Sequence, residues 1–492
     1  MSEPQCSCKW WTAGVAAGAV IGILLVRSQK RISIGPIPVQ DLLDPEIRDK
    51  HIDWNQQVHS LSRESAALEV GGIEEPTYVV PGYYRVRELL QEPRMSSNPY
   101  ADERLIALNT MAKPRHAVVA KLLNRFYRYR DIRRISDEFL KTAETLCEPC
   151  LSGDRLDVMT WARRVHMSNT LKVLLGPPRA ARRTALIDPL IQFNDDMVKL
   201  VAPLGGVGLP CPPLFSAATP RMLYHLCLAL PDTLRFLQRA GLAGLEITRP
   251  DLTLGRGRQG SGVWRFPELL QQVPKYFMLL MDLFDESPTP NQEDAATCPI
   301  EALKFAVTAG EVTLAEALVT IVQLMVNMTS ANAIGNLVHR LATEKSPECK
   351  DAELEAFVSE VLRLDAPLQR NPRRVTEPIS MGTTTLPAGA QVLLLLGAAN
   401  TDPVVFPDPT AFQPGRLAPE DQGVTFGAGP HYCLGASLVK LEMREVARLL
   451  LRDFDRLEVQ ENRRVRDVDV GNYGFESLVV KAKRRWVKAE TL

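Results

Sequence analysis

Apolar residues recur at three- and four-residue spacing through 115–146 and 186–201, and through 222–230 and 233–240 on either side of Pro231, which predicts a helix at each. Another periodic stretch, 311–341, runs 31 residues without proline; as one helix it is about 46 Å long, enough to cross a whole domain. Glu316, Gln323 and Asn327 interrupt its apolar face, which disfavours a membrane span there. Leu354, Phe357, Val358, Val361 and Leu362 mark one face of a helix that Pro367 closes, and 434–451 is a further long helical pattern. Strand-like runs come late, at 374–380 and 391–396, with Pro387-Ala388-Gly389 supplying a turn. The stretch 252–266 holds glycines and arginines without periodicity and reads as a surface loop. The fold class expected is mainly α with small β-sheets.

One hydrophobic run stands outside this pattern. Residues 10–26 carry no charge, with Lys9 before them and Arg27, Lys30 and Arg31 after. Seventeen residues make about 26 Å of helix, the lower limit for spanning hydrocarbon. A retained anchor fits better than a cleaved secretory signal, because the stronger basic cluster follows the run instead of preceding it. The positive-inside rule then puts residue 27 onward in the cytosol, which makes this a single-pass membrane protein. The expected organisation is a lumenal tip, 1–9, a transmembrane helix, 10–26, a basic and proline-containing linker, 27–45, and one catalytic domain, 46–492.

Composition removes several function classes. Lys plus Arg is 58 and Asp plus Glu is 58, and no long like-charged block offers the footprint that a nucleic-acid backbone requires. With 45% hydrophobic residues the chain can bury a sizeable core and is not of disordered composition. Nine cysteines, an odd number without regular spacing, point to a reducing compartment. Cys147 and Cys150 form a lone Cys-x-x-Cys; without a second pair they read as ordinary cysteines where a helix ends near Pro149.

Cys433 stands apart. It lies in Phe426-Gly427-Ala428-Gly429-Pro430-His431-Tyr432-Cys433-Leu434-Gly435, immediately before a long helical pattern. A helix amino terminus turns N–H groups and positive dipole toward the sulfur and favours thiolate, a metal ligand or a nucleophile. Gly427, Gly429 and Gly435 let the backbone make a tight loop and approach something flat and bulky, and Phe426 can shield the sulfur from water.

These residues resemble the cytochrome P450 family of haem-thiolate monooxygenases, whose cysteine loop reads Phe-x-x-Gly-x-His/Arg-x-Cys-x-Gly; all five fixed positions match. The resemblance implies haem b with Cys433 as axial iron ligand and His431 against a propionate. About 70 residues upstream, Glu360 and Arg363 stand where the family has its Glu-x-x-Arg pair, and Phe412-Gln413-Pro414-Gly415-Arg416 is similar to the segment whose arginine completes that charge network. Pro114-Arg115-His116 resembles the segment whose histidine, with an arginine four residues on, reaches a propionate. That second position is Ala120, so Arg115 or Lys121 is required in its place. Arg373 resembles the other propionate contact, with Arg374 the adjacent alternative.

In the long helix the chain departs from the family. Where the family carries Ala-Gly-x-Asp/Glu-Thr, this sequence reads Met325-Val326-Asn327-Met328-Thr329. The alcohol remains, but methionine cannot relay a proton. Thr329 and Asn327, with Ser330, are the residues left to order a water chain, or the substrate's own polar groups supply the relay. Val326 in place of glycine removes the usual reason for a local widening of the helix.

The resemblance implies a monooxygenase that hydroxylates or otherwise oxidises a small apolar or amphipathic molecule. Electrons would come from NADPH through a diflavin NADPH–cytochrome P450 reductase, with cytochrome b5 as a second donor. Lys440 and Arg444 are the candidate cations toward an acidic reductase. Wording such as Leu434-Gly435-Ala436 and Leu364-Asp365-Ala366-Pro367 resembles soluble bacterial members, while the anchor is a microsomal trait. That mixture is similar to fungal enzymes that tailor secondary metabolites, small peptides or polyketides (mycotoxin-like intermediates). Two alternatives stay open: a haem-thiolate enzyme that rearranges, dehydrates or closes rings without the reductase, and a non-catalytic haem-binding protein.

Overall fold

The computed structural model describes residues 37–38, 51–62, 66–71, 76–97, 111, 113–195, 276, 278–416, 423–464 and 471–485. The readings made for 1–32, 196–201, 222–230, 233–240 and 252–266 lie outside them. The described residues belong to two units. One includes 192–195, 276 and 278–286, where the Phe193 and Tyr276 rings stack at 4.6 Å. The other, drawn from Ser33–Ile191 and Ser287–Leu492, holds every candidate site residue.

The larger unit is helix-rich, as expected. Its main helices are α1 (His51–Leu61), α2 (Tyr83–Gln91), α3 (Lys113–Tyr127), α4 (Ser136–Cys147), α5 (Val158–Leu175), α6 (Pro299–Thr308), α7 (Leu314–Leu324), α8 (Met328–Thr343), α9 (Asp351–Leu364) and α10 (Ala436–Asp453). Helices α4, α5, α8 and α10 pack on one another, with α9 against α8 and α10. Trp161, Phe357, Ile334 and Met443 share the resulting core, and the Trp161 indole donates to the Ala143 carbonyl at 3.0 Å. Gly335 permits the close α8–α5 contact: a Cβ there would meet the Met159 sulfur at 2.8 Å.

Among the described residues, twelve strands form three small sheets. A six-stranded sheet has the order β1-β2-β3-β10-β7-β4, with β1 Ile37–Pro38, β2 Leu68–Gly71, β3 Thr77–Val80, β4 Met95–Ser96, β7 Asn371–Val375 and β10 Gln391–Leu394. Strand β10 runs parallel to β3 and antiparallel to β7, with Val392 opposite Arg373. A four-stranded sheet, β11-β12-β6-β5, combines the long hairpin Phe454–Arg464 and Phe475–Arg484 with Arg155–Asp157 and Leu151–Ser152. Strands β8 (Ile379–Met381) and β9 (Thr384–Leu386) pair by themselves.

Three expectations need correction. The run 115–146 is not one helix but α3, a short helix at Tyr129–Arg133, and α4. Tyr127, Ile132 and Phe139 belong to one apolar cluster on Leu438 and Leu441 of α10; in a straight helix Tyr127 and Phe139 would stand about 18 Å apart, so the chain breaks at Arg128 and Ile135 to bring them together. The strand expected at 374–380 is two strands of different sheets, because Pro378 cannot donate to a ladder. The helix expected at 311–341 starts late and is broken. The Thr313–Glu316 capping box opens it at Leu314, and residues 325–327 interrupt it. By length and composition Leu314–Thr343 could cross a membrane, but most of it is buried in the protein. Cys147 ends α4, and Glu148–Cys150 forms a single 3-10 turn, matching the ordinary reading of that pair.

Candidate active site

The loop before α10 is closed by three short hydrogen bonds: Gly427 N–H to Val424 O (2.9 Å), Tyr432 N–H to Gly429 O (3.0 Å) and Cys433 N–H to Phe426 O (2.9 Å). Gly429 takes φ +71°, and a Cβ there would lie 2.8 Å from the Gln91 side chain, so glycine is needed for both conformation and space. Gly435 has an ordinary φ of −79° at the start of α10. The Cys433 side chain is exposed, yet burial pushes its thiol up. The sulfur is thus accessible and yet closely surrounded by protein. Against that desolvation, the backbone N–H groups of Gly435 and Ala436 and the charge of Lys440 favour the thiolate. Phe426 packs on the main core and carries the Lys440 ammonium over its ring at 5.3 Å.

Behind the loop lies the predicted charge network. Arg363, fully buried on α9, makes a two-pronged contact with Glu360 (2.9 and 2.8 Å). Its remaining donors reach the carbonyls of Asn400, Pro409 and Ala411. Arg416 Nε is 3.0 Å from Glu360 Oε1 but outside hydrogen-bond alignment, so that contact is an ion pair. Its other nitrogens reach Pro407, Asp408 and Ala411 carbonyls. Asn400 carries the network into the cysteine loop: its amide accepts from Val424 N–H (2.8 Å) and donates to Thr425 Oγ1 (2.7 Å), which donates to Leu362 O (2.7 Å). No local motif marks Asn400 or Thr425 in the sequence.

A second group of candidates meets on the other side of the loop. The His116 and His431 rings lie 4.0 Å apart, and His431 Nε2 is 3.1 Å from Ser97 Oγ. Ser96 of β4 stands opposite Arg374 of β7, which puts Ser97 level with Arg373. Of the two adjacent arginines, Arg373 is the buried one. Its Nη1 donates to Asn371 Oδ1 and to the Pro372 carbonyl (2.9 Å), and among the described residues no carboxylate reaches it. Desolvation pulls its guanidinium down to about 10, and burial alone also lowers His116. Buried cationic groups lacking an acid fit a carboxylate-bearing ligand such as a haem propionate. Ala120 leaves the remaining position without a charge. Arg115 does not replace it, being bound to Glu316 of α7 at 2.8 and 2.6 Å, and Lys121 is exposed.

Near the interrupted helix the geometry differs from expectation. Thr329 is half-buried, in the first turn of α8. Asn327 Nδ2 donates to the Arg163 carbonyl of α5 (2.8 Å), which ties the interruption to that helix. Met328, in the position of the missing acid, receives Asn472 Nδ2 at its sulfur (2.8 Å). The helix tightens and breaks instead of widening: Val326 N–H falls back to Gln323 O (3.2 Å), a bond three residues back, before α8 restarts with Ala331 N–H to Asn327 O (2.9 Å). Arg444, expected to face a partner, is buried between Glu445 and Glu355. Exposed cations do occur at Arg128, Arg130, Arg133 and Arg134, on and beside the short helix that packs against α10. Their signal was the run Arg128-Tyr129-Arg130-Asp131-Ile132-Arg133-Arg134, hidden inside a stretch read only for helical period.

A family model described as Cytochrome P450 matches residues 340–488. Cytochrome P450 144 of Mycobacterium tuberculosis is 35% identical over 188 residues, 37% of this chain and 41% of that protein. The aligned stretch thus spans less than half of that relative's length. Putative cytochrome P450 123 of Mycobacterium bovis is 26% identical over 78% of this chain and 80% of its own, and a biotin biosynthesis cytochrome P450 of Bacillus subtilis is 30% identical over 44% and 51%. Among solved structures, P450BioI in complex with an acyl carrier protein ligated to hexadec-9Z-enoic acid superposes with a TM-score of 0.65 at 18% identity, covering 89% of this chain and 99% of that one. CalO2 gives 0.66 at 18%, covering 90% and 98%.

Proposed function

The chain belongs to the cytochrome P450 family, and from that premise we propose a haem-thiolate monooxygenase that oxidises a small apolar or amphipathic molecule. The observation that carries the reading is the Cys433 sulfur: exposed before α10, it is favoured as thiolate by two backbone N–H groups, and its loop carries His431 against His116, while Arg373 is buried with no acid among the described residues. Cys433 would hold the iron, and His116, His431 and Arg373 would face the propionates. When bound, the haem supplies the activation of dioxygen, with the thiolate donating electron density. The protein's part is to keep that sulfur ionised and shielded, through Gly435 and Ala436 N–H on one side and Phe426 on the other. The Glu360–Arg363–Arg416 network and Asn400 hold the loop rigid from behind.

The electron donor is proposed as a small acidic one-electron carrier. Four exposed arginines between 128 and 134 lie against α10, and Arg444, which Tyr129 approaches at 3.4 Å, is about 16 Å along the helix from Cys433. Relatives from Mycobacterium and Bacillus favour a ferredoxin-type carrier over the NADPH–cytochrome P450 reductase and cytochrome b5 inferred from the anchor. Supplying the protein in parallel with a ferredoxin/ferredoxin-reductase pair and with a diflavin reductase, and timing formation of the reduced carbon monoxide complex, separates them. The ferredoxin arm is expected to be faster; the reverse would restore the microsomal arrangement. The membrane anchor at 10–26, with endoplasmic reticulum placement and a secondary-metabolite substrate, remains a proposal resting on the sequence pattern. Retention in the pellet after alkaline carbonate extraction tests the anchor.

Met328 favours a second reading, a rearranging or ring-forming enzyme that needs no proton relay at that position. Failure of either donor to support substrate turnover, with the carbon monoxide complex intact under a chemical reductant, would favour it.

A further inference from the structure

Between Glu311 and Ile334 the sequence contains neither glycine nor proline, yet the helix breaks at 325–327. Since the usual local causes are missing, the break is imposed by contacts from neighbouring helices. We propose that His166 of α5 and Glu442 of α10 form a brace that holds this break open, acting as positioning residues for the groove above the cofactor. The inference about the groove rests on the haem reading; the brace itself does not.

The Val326 carbonyl would accept from Ser330 N–H in an unbroken helix. Here, among the described residues, its partner is His166 Nε2 at 3.3 Å. The opposite ring nitrogen, Nδ1, lies 2.8 Å from Glu442 Oε2, and both side chains are buried. Among the described residues Glu442 Oε1 has no hydrogen-bond partner, and His166 is the group paired with this carboxylate. With its hydrogen on Nε2 the ring donates to Val326 O while Nδ1 faces Glu442 Oε2. With Nε2 bare, Thr170 Oγ1, 3.3 Å away, would donate to the ring instead and the carbonyl would be released. A second tie, Asn327 Nδ2 to Arg163 O at 2.8 Å, fixes the next residue to the same helix. Val326 itself is 39% exposed although α7 and α8 are largely buried, as a side chain lining a recess would be. Leu324, the last residue of α7, packs in the cluster of Leu434, Leu438 and Leu441, so the break lies close to the start of α10.

The test uses the full-length holoprotein and compares the parent with His166→Gln/Glu442→Gln, which keeps an amide donor toward Val326 O, and with His166→Leu/Glu442→Leu, which removes the donor; neither strands a buried charge. Amide hydrogen exchange is read on peptides covering 324–334, alongside imidazole affinity by the ferric spectrum. The brace requires exchange in the leucine variant to change at least tenfold and imidazole affinity at least fivefold, with the glutamine variant within about twofold of the parent. Parent-like exchange in the leucine variant would overturn the brace, as would a glutamine variant that behaves like the leucine one. A parent with no thiolate-type carbon monoxide band would defeat the haem reading separately, while exchange would still decide whether the brace exists.

Discussion

Cys433 was legible because its helpers lie within a few residues: Gly435 and Ala436 supply N–H groups, Lys440 supplies charge, and Phe426 covers one side. Arg373 was legible only by resemblance, and its isolation from acids appears once β4, β7 and β10 are assembled. That isolation gives an expectation of unusual sign. Replacing Arg373 by Leu removes a desolvated cation, so the haem-free protein should lose no thermal stability while haem affinity falls at least tenfold, measured by transfer to apomyoglobin. Equal haem retention would remove Arg373 from the propionate site. His339 offers a pH test. Desolvation, and secondarily the Arg464 charge, lower it from 6.5 to about 4. Between those values the unfolded chain binds a proton that the folded one refuses, so stability is lost as pH falls below 6.5, at up to about 1.4 kcal/mol per pH unit. Denaturant midpoints of a His339→Gln variant should fall less steeply over that window; parallel curves would show that His339 does not set it.

Periodicity identified most helices but not where tertiary contacts cut them. The run 115–146 has continuous helical spacing, and only the need to seat Tyr127, Ile132 and Phe139 on α10 divides it. The interruption at 325–327 is set by His166 and Asn327 against α5, a contact 160 residues apart in sequence for the His166–Val326 bond. By contrast, the start of α7 is a local matter: Thr313 Oγ1 accepts from Glu316 N–H while the Glu316 carboxylate accepts from Thr313 N–H. Thr313→Ala should cost about 1 kcal/mol by chemical denaturation; no loss would show the cap to be redundant with Arg115–Glu316. Glu360 and Arg363 were placed correctly on one helix, and the structure adds that both are buried and continuous with the cysteine loop through Asn400. Glu360→Leu leaves Arg363 and Arg416 without their acid, a loss of about 3–5 kcal/mol. It is expected to abolish soluble holoprotein, whereas near-normal yield would mean that the network is peripheral to folding.

At the scale of the whole molecule, net charge is zero, and the four exposed arginines from 128 to 134 lie on and beside the short helix that packs against α10. Arg130→Glu/Arg133→Glu should raise the KM for an acidic electron donor about tenfold at low salt, with the difference shrinking as ionic strength rises; a salt-independent change would point to misfolding. Order of elements and the family motifs carried the fold, while the direction of the electron-donor face depended on which cations are buried. Arg444 reads as a surface cation in sequence and is buried in the structure beside Glu445. All of this presupposes that Cys433 holds a haem as thiolate. The most direct measurement is the carbon monoxide difference spectrum of the reduced full-length protein beside Cys433→Ser. A red-shifted, thiolate-type Soret band in the parent that disappears in the variant is the expected result. A band that survives in Cys433→Ser, or a parent showing only the position of a neutral-ligand haem, would contradict the assignment.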